Sequence, residues 1–253
     1  MDGVGPAPRL SLLFNPAARP SASVIRQFAS KLGSFSISHD PVQADPPDVD
    51  SIGWLELVAN GLSFDLRGLV PGAAHPISSH VHRFDLPSGV EIGELEAVVL
   101  EAGPHLSGGE TMLPVVRSQL WLATQLCQLP GLAAVGWEPA RSLCSPAHFN
   151  ASVTRWLEGG VFPGLGLTVL ITSPDGGMHS EGLAFFTGQE LRIEPELAEN
   201  AWAAARLALR LIHELVGLGW LDKPELVTGP EGQVLRLEPS QNGRFVRVRL
   251  AEA

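Results

Sequence analysis

The sequence predicts an α+β fold, with mixed, mostly antiparallel sheets and hairpins packed on a long C-terminal helix and two or three shorter helices. Three observations carry that reading. Short apolar runs recur as strand candidates, joined by hairpin signals such as Asn60-Gly61 and Asn242-Gly243 more often than by regular strand–helix–strand crossovers. The stretch 180–221 holds the longest helical pattern, on which Glu199, Arg206, Arg210, His213 and Glu214 gather on about a third of the circumference. On the same helix Trp202, Leu207, Leu209, Leu211, Ile212, Leu215 and Val216 are expected to be buried on most sides, making it the spine on which a sheet packs.

In chain order, residues 9–14 read as a strand closed by Asn15-Pro16. Ser21 or Ser23 caps a helix through Leu32, with Val24, Ile25, Phe28 and Leu32 at core spacing and Gly33 as the stop. Residues 38–51 carry Pro41, Pro46 and Pro47 among aspartates, which is loop chemistry. Strands follow at Trp54–Ala59, 62–69 and 79–86, completing a β-α-β-β-β subdomain over residues 1–92. A second α+β subdomain, residues 93–253, opens with a strand at 95–102 and a helix at 111–129 that Pro130-Gly131 stops; the alternative is that the two parts form one continuous domain. Leu132–Trp137 is a strand, and residues 145–157 a helix with Ser145 at the N-cap and Pro146 at its first position. Residues 165–173 and 178–186 form a hairpin across Pro174-Asp-Gly-Gly177, and a strand-like run from Gly182 to Glu194 leads into the long helix. Strands at 233–238 and 244–250 end the chain.

Composition narrows the function classes. With 253 residues, 45% hydrophobic and 17% charged, the chain is globular and long enough to bury a substantial core. Acidic residues outnumber basic ones 27 to 17, a formal net charge of −10, which disfavours nucleic acid and anionic membrane and favours a protein partner of basic character. Cys127 and Cys144 offer no disulfide framework. No signal-peptide pattern opens the chain, and the apolar stretch 201–221 is interrupted by Arg206, Arg210, His213 and Glu214, so a cytoplasmic, soluble protein is expected.

Several segments together resemble a known family. They are the Leu-Leu-Phe strand and helix, the middle helix after Thr111, and Ala134-Val-Gly-Trp137 with its Cys/Ser-Pro-Ala-His-Phe sequel. The apolar run 162–172 and Glu181-Gly-Leu-Ala-Phe-Phe-Thr-Gly-Gln-Glu-Leu-Arg-Ile-Glu194 before the final helix complete the set. The pattern, over residues 9–237, resembles the bacterial domain-of-unknown-function family 4261, with no counterpart for residues 75–82. The resemblance implies no activity and no catalytic residues.

The residues themselves suggest three places for chemistry. His80 and His82, two apart, would point to one side of a strand; with His75 upstream and a carboxylate such as Glu101 they could hold a divalent metal. A two-ligand motif has low specificity, however, and no cofactor is expected. Cys144 precedes the Ser145 cap, where the helix dipole would lower a thiol pKa, and His148 lies in the first turn. Four residues across a helix start is poor geometry for a nucleophile and its base, and packing of Leu143 or Cys144 on Phe149 is the favoured reading. On the 111–129 helix Arg117, Thr124, Gln125 and Gln128 share a polar side on which Trp121 could anchor a protein interface. The glycines at 108–109 read as a turn, and Glu181, Glu190 and Glu194 as solvated carboxylates. The expectation is a non-enzymatic protein-binding domain of immunity or accessory type, with a metal- or Cys-dependent hydrolase as the alternative.

Overall fold

The computed structural model describes residues 9–43 and 53–251. The fold is α+β, built on two mixed, mostly antiparallel sheets in two compact units, residues 1–159 and 160–253. The division expected at residues 92/93 is therefore misplaced. Strand β6 (Glu96–Ala102) pairs with both β1 (Leu10–Phe14) and β4 (Leu62–Arg67), so a cut at residue 92 would split one sheet.

In the first unit eight strands run in the order β2-β3-β4-β6-β1-β7-β8-β5. The others are β2 (Ser36–His39), β3 (Trp54–Ala59), β5 (His82–Phe84), β7 (Leu132–Trp137) and β8 (Ser142–Cys144). Only β5 and β8 pair in parallel among them. Helix α1 (Ala22–Leu32) begins at Ser21, whose hydroxyl accepts from Val24 N, and ends at Gly33 with φ 65°. The Asn60-Gly61 turn takes φ 52° and 77°, the two positive values that a tight β3–β4 hairpin requires. Of the loop expected at 38–51, residues 36–39 pair as β2 and 41–43 form a 3-10 turn; the remainder lies outside the described residues. Helix α2 (Leu113–Leu126) crosses from β6 to β7 over the sheet, and α3 (Pro146–Leu157) packs on α2 and β7. On the other face Leu13, Leu95, Ala97, Ala134 and Leu143 form a core closed by Ile77, Leu86, Val90 and Ile92. Apolar cover on both faces explains why every residue of β1, Ser11 included, is buried.

The second unit is a six-stranded sheet in the order β12-β13-β14-β11-β10-β9. Its strands are β9 (Val169–Thr172), β10 (Met178–Glu181), β11 (Glu190–Ile193), β12 (Glu225–Thr228), β13 (Val234–Pro239) and β14 (Phe245–Leu250). Helices α4 (Gly164–Leu167), α5 (Ala184–Thr187) and α6 (Pro195–Ala198) are single turns, and α7 (Ala201–Leu218) is the long helix. Asn200 caps α7 by accepting from Trp202 N and Ala203 N. Ala204, Leu207, Ala208, Leu211, Ile212, Leu215 and Val216 form its buried stripe, and α7 packs on β10 and β11. The helix is thus half-buried and not enclosed: Trp202 is 82% exposed.

The run 182–194 is not one strand. Residues 184–187 turn into α5 because Glu190 reaches back over them: Oε1 accepts from Gly182 N (2.9 Å) and Ala184 N (3.1 Å), and Oε2 from Leu183 N (3.1 Å) and Ser180 Oγ (2.5 Å). A carboxylate cradled by three backbone amides satisfies donors that would otherwise be orphaned at a helical start. Glu190 is therefore structural and not a solvated charge.

Candidate functional site

The metal and thiol candidates are not assembled into sites. His75 donates its backbone N–H to Ala97 O on the β4 side of β6, whereas His82 lies in β5 at the far edge. Five strand spacings, roughly 24 Å, separate those positions. The strand begins only at His82, so the two-residue alternation does not extend to His80. The His80 ring lies instead over Gly136 of β7, where a Cβ would stand 2.6 Å from Nε2. Burial holds the His80 pKa below the usual imidazole value, outweighing the opposing influence of the Ser78 backbone and the Glu138 charge. Glu101 is engaged by Arg67 at 3.0 Å and Arg9 at 3.4 Å. Among the described residues no group of three His, Cys, Asp or Glu could hold a metal ion.

Cys144 ends β8 and is 3% exposed. Burial, with Asp85 alongside, pushes its thiol up to about 12, the reverse of the helix-dipole expectation. His148 donates its N–H to the Ser145 cap and stacks its ring on Phe84. The polar side expected on α2 is largely closed as well. Thr124 is buried, Trp121 is half-buried, and Gln125 bonds to Thr124 and Ser34. Arg117 lies 4.6 Å over Trp156 and donates to Leu157 O at 2.9 Å, tying α2 to α3.

Charge collects elsewhere, on one face of the second unit's sheet. Leu191, Ile193, Leu235, Leu237, Val246 and Val248 are buried on the core side. The alternating positions carry Arg192, Arg236, Glu238, Arg247 and Arg249. The register sets Arg192 opposite Arg247 across β11–β14, and Arg236 opposite Arg249 across β13–β14. Like charges directly opposite one another are unfavourable, and each pair is bridged by one carboxylate. Glu194 contacts Arg192 (3.5 Å) and Arg247, and Glu238 contacts Arg236 (3.3 Å) and Arg249. Four guanidinium groups thus share Glu194 and Glu238, and Arg192 pairs with Asp175 as well. Arg236, Arg247 and Arg249 remain 41%, 49% and 43% exposed, so the ladder presents half-exposed guanidinium groups to solvent. Glu194 is 7% exposed and is likewise no solvated carboxylate.

The ladder ends at a shallow cleft of about 340 Å³ lined by Ser173, Pro174, Asp175, His179, Arg192 and Phe245. His179 pairs with Arg192 across β10–β11, and its Nδ1 lies 2.8 Å from Ser173 Oγ across the β9–β10 turn. That is a nucleophile–base distance, but among the described residues no carboxylate orients the His179 ring, which also meets the edge of Phe245. Arg192 Nη1 lies 3.4 Å from Ser173 Oγ, and its Nη2 pairs with Asp175.

The sequence reading missed the ladder because its arginines lie on three strands whose order no local pattern reveals. The usable signal was the density of Arg236, Arg244, Arg247 and Arg249 around the single acidic Glu238 in residues 234–250. No helix is long and apolar enough to cross a membrane among the described residues. No family model matches the chain, and neither a curated protein nor a solved structure matches it.

Proposed function

We propose that this chain is a non-enzymatic protein-binding module, of accessory or immunity type, whose docking surface is the arginine ladder on β11, β13 and β14. The partner presents a carboxylate-rich segment. One observation carries the reading: two like-charged cross-strand arginine pairs, Arg192–Arg247 and Arg236–Arg249, stand on one sheet face, and three of the four side chains remain more than 40% exposed. A sequence selected for stability alone gains nothing from such pairs, whereas half-exposed arginines on a rigid strand platform suit recognition of carboxylates. The net charge of −10 favours a basic partner only when averaged over the molecule; at contact distance the local sign decides, because charges beyond about 8–10 Å are screened. The buried, protonated thiol of Cys144 and the dispersed histidines favour binding over catalysis.

The test is titration of fluorescein-labelled hexaglutamate with the full chain and with the Arg236→Gln/Arg249→Gln variant. Loss of one contact per arginine should weaken binding about 10-fold in the double variant. Equal affinity for both proteins would refute the docking surface.

A further inference from the structure

The cleft at the β10 end of the ladder differs from the rest of it in one respect: its cation is sheltered. The Arg192 side chain is 20% exposed, about half the exposure of the other ladder arginines. Its guanidinium faces the Ser173 hydroxyl, itself in a residue 8% exposed and bonded to His179. Pro174 and Phe245 supply apolar wall. Into this donor set the β9–β10 turn extends one anion, Asp175: its Oδ2 pairs with Arg192 Nη2 and its Oδ1 accepts from Gly177 N at 3.1 Å. The Asp175 side chain is 54% exposed. The buried member of the pair is the cation, and the exposed member belongs to a turn.

We propose that this cleft is a subsite for one side-chain carboxylate of the bound acidic segment, and that Asp175 occupies it in the free protein as a tethered competitor. The inference rests on the docking surface proposed above and adds the residue that sets its affinity. Binding exchanges one carboxylate for another on Arg192, so this subsite confers selectivity for an acidic side chain while Asp175 holds the affinity down. Because Asp175 is more than half exposed, it can turn to solvent without opening the core.

The test uses the full chain, labelled hexaglutamate with an amidated C-terminus, and the Asp175→Asn variant. Asparagine keeps Oδ1 to accept from Gly177 N and so preserves the turn while removing the charge. Asp175→Asn should bind about five-fold more tightly than wild type, the worth of a partly exposed ion pair, and adding Arg192→Gln should abolish the gain. A Gly-Ser peptide whose only carboxylate is its C-terminus should not bind; equal binding would overturn the assignment to a side-chain carboxylate. Unchanged or weaker binding by Asp175→Asn, with Arg236→Gln/Arg249→Gln still weakening it, would overturn the subsite and leave the docking surface standing. No binding by either wild type or Asp175→Asn would overturn both.

Discussion

Replacing Glu190 by glutamine tests how the second unit folds across the α5 turn. Glutamine has the size of glutamate but only one acceptor oxygen. If that oxygen keeps the bonds from Gly182 N and Ala184 N, an NH2 group faces the N–H of Leu183 and the hydroxyl of Ser180. The hydroxyl can rotate to accept; the amide cannot. One charge-assisted bond is lost, a donor is left facing a donor, and the negative charge leaves a helical start, together costing about 3 kcal/mol. For a unit of this size that is a fall in Tm of roughly 15 °C. Urea denaturation and calorimetry of the full chain measure it. Trp220 is a local fluorescence probe because it packs against Gly188 and Gly243. A change below about 0.5 kcal/mol, the level of an ordinary surface substitution, would show that the amide cradle does not hold the turn.

Other outcomes follow from the first unit. Gly136→Ala places a Cβ 2.6 Å from His80 Nε2 and 3.3 Å from Leu143 Cδ2, and should destabilise by about 1–3 kcal/mol in urea denaturation. His80→Ala in the same chain should recover part of that loss, and strict additivity would contradict the close approach. His80 is held neutral by burial, its folded pKa below the ordinary 6.5. Its contribution to stability is therefore present above that value and lost as pH falls, because the unfolded state binds the proton first. Asp65, whose carboxyl burial raises, acts in the opposite sense. Wild type should thus lose stability relative to His80→Leu as pH falls below the ordinary 6.5, and parallel profiles would refute the assignment. Cys127 and Cys144, both pushed up to about 12 by burial, should react with a thiol reagent at pH 8 orders of magnitude more slowly in the native chain than in urea. Below the ordinary thiol value of 9.0 they lend stability no pH dependence; above it the unfolded thiols ionise first and stability falls.

Local chemistry was readable and long-range pairing was not. Ser21 and Gly33 bound α1, Asn60-Gly61 makes the hairpin, Ser145 and Pro146 start α3, and the spacing of Leu207, Leu211 and Leu215 marks α7. Each rests on residues a few positions apart. The 182–187 segment was misread because Gly-Leu-Ala-Phe-Phe has strand composition; what bends it is Glu190, several residues downstream. β12 escaped notice as four residues between Pro224 and the turn at Gly229. The domain boundary failed because β6 inserts between β1 and β4, a strand order absent from hydrophobic periodicity. Trp202 was expected inside and lies outside, since one face of α7 meets the sheet and that residue is on the other. The ladder failed for a different reason. Net charge averages over 253 residues, whereas Arg192, Arg236, Arg247 and Arg249 become neighbours only through the β11–β14 and β13–β14 registers.

The central claim is that the sign of this one face, and not the charge of the whole molecule, selects the partner. The most direct measurement compares binding of labelled hexaglutamate and hexalysine to the full chain at about 0.05 M and about 0.5 M salt. Hexaglutamate binding that weakens with salt and with Arg236→Gln/Arg249→Gln, together with weaker binding of hexalysine, is the predicted result. Preferential binding of hexalysine would return the choice of partner to the net charge of −10 and contradict the account.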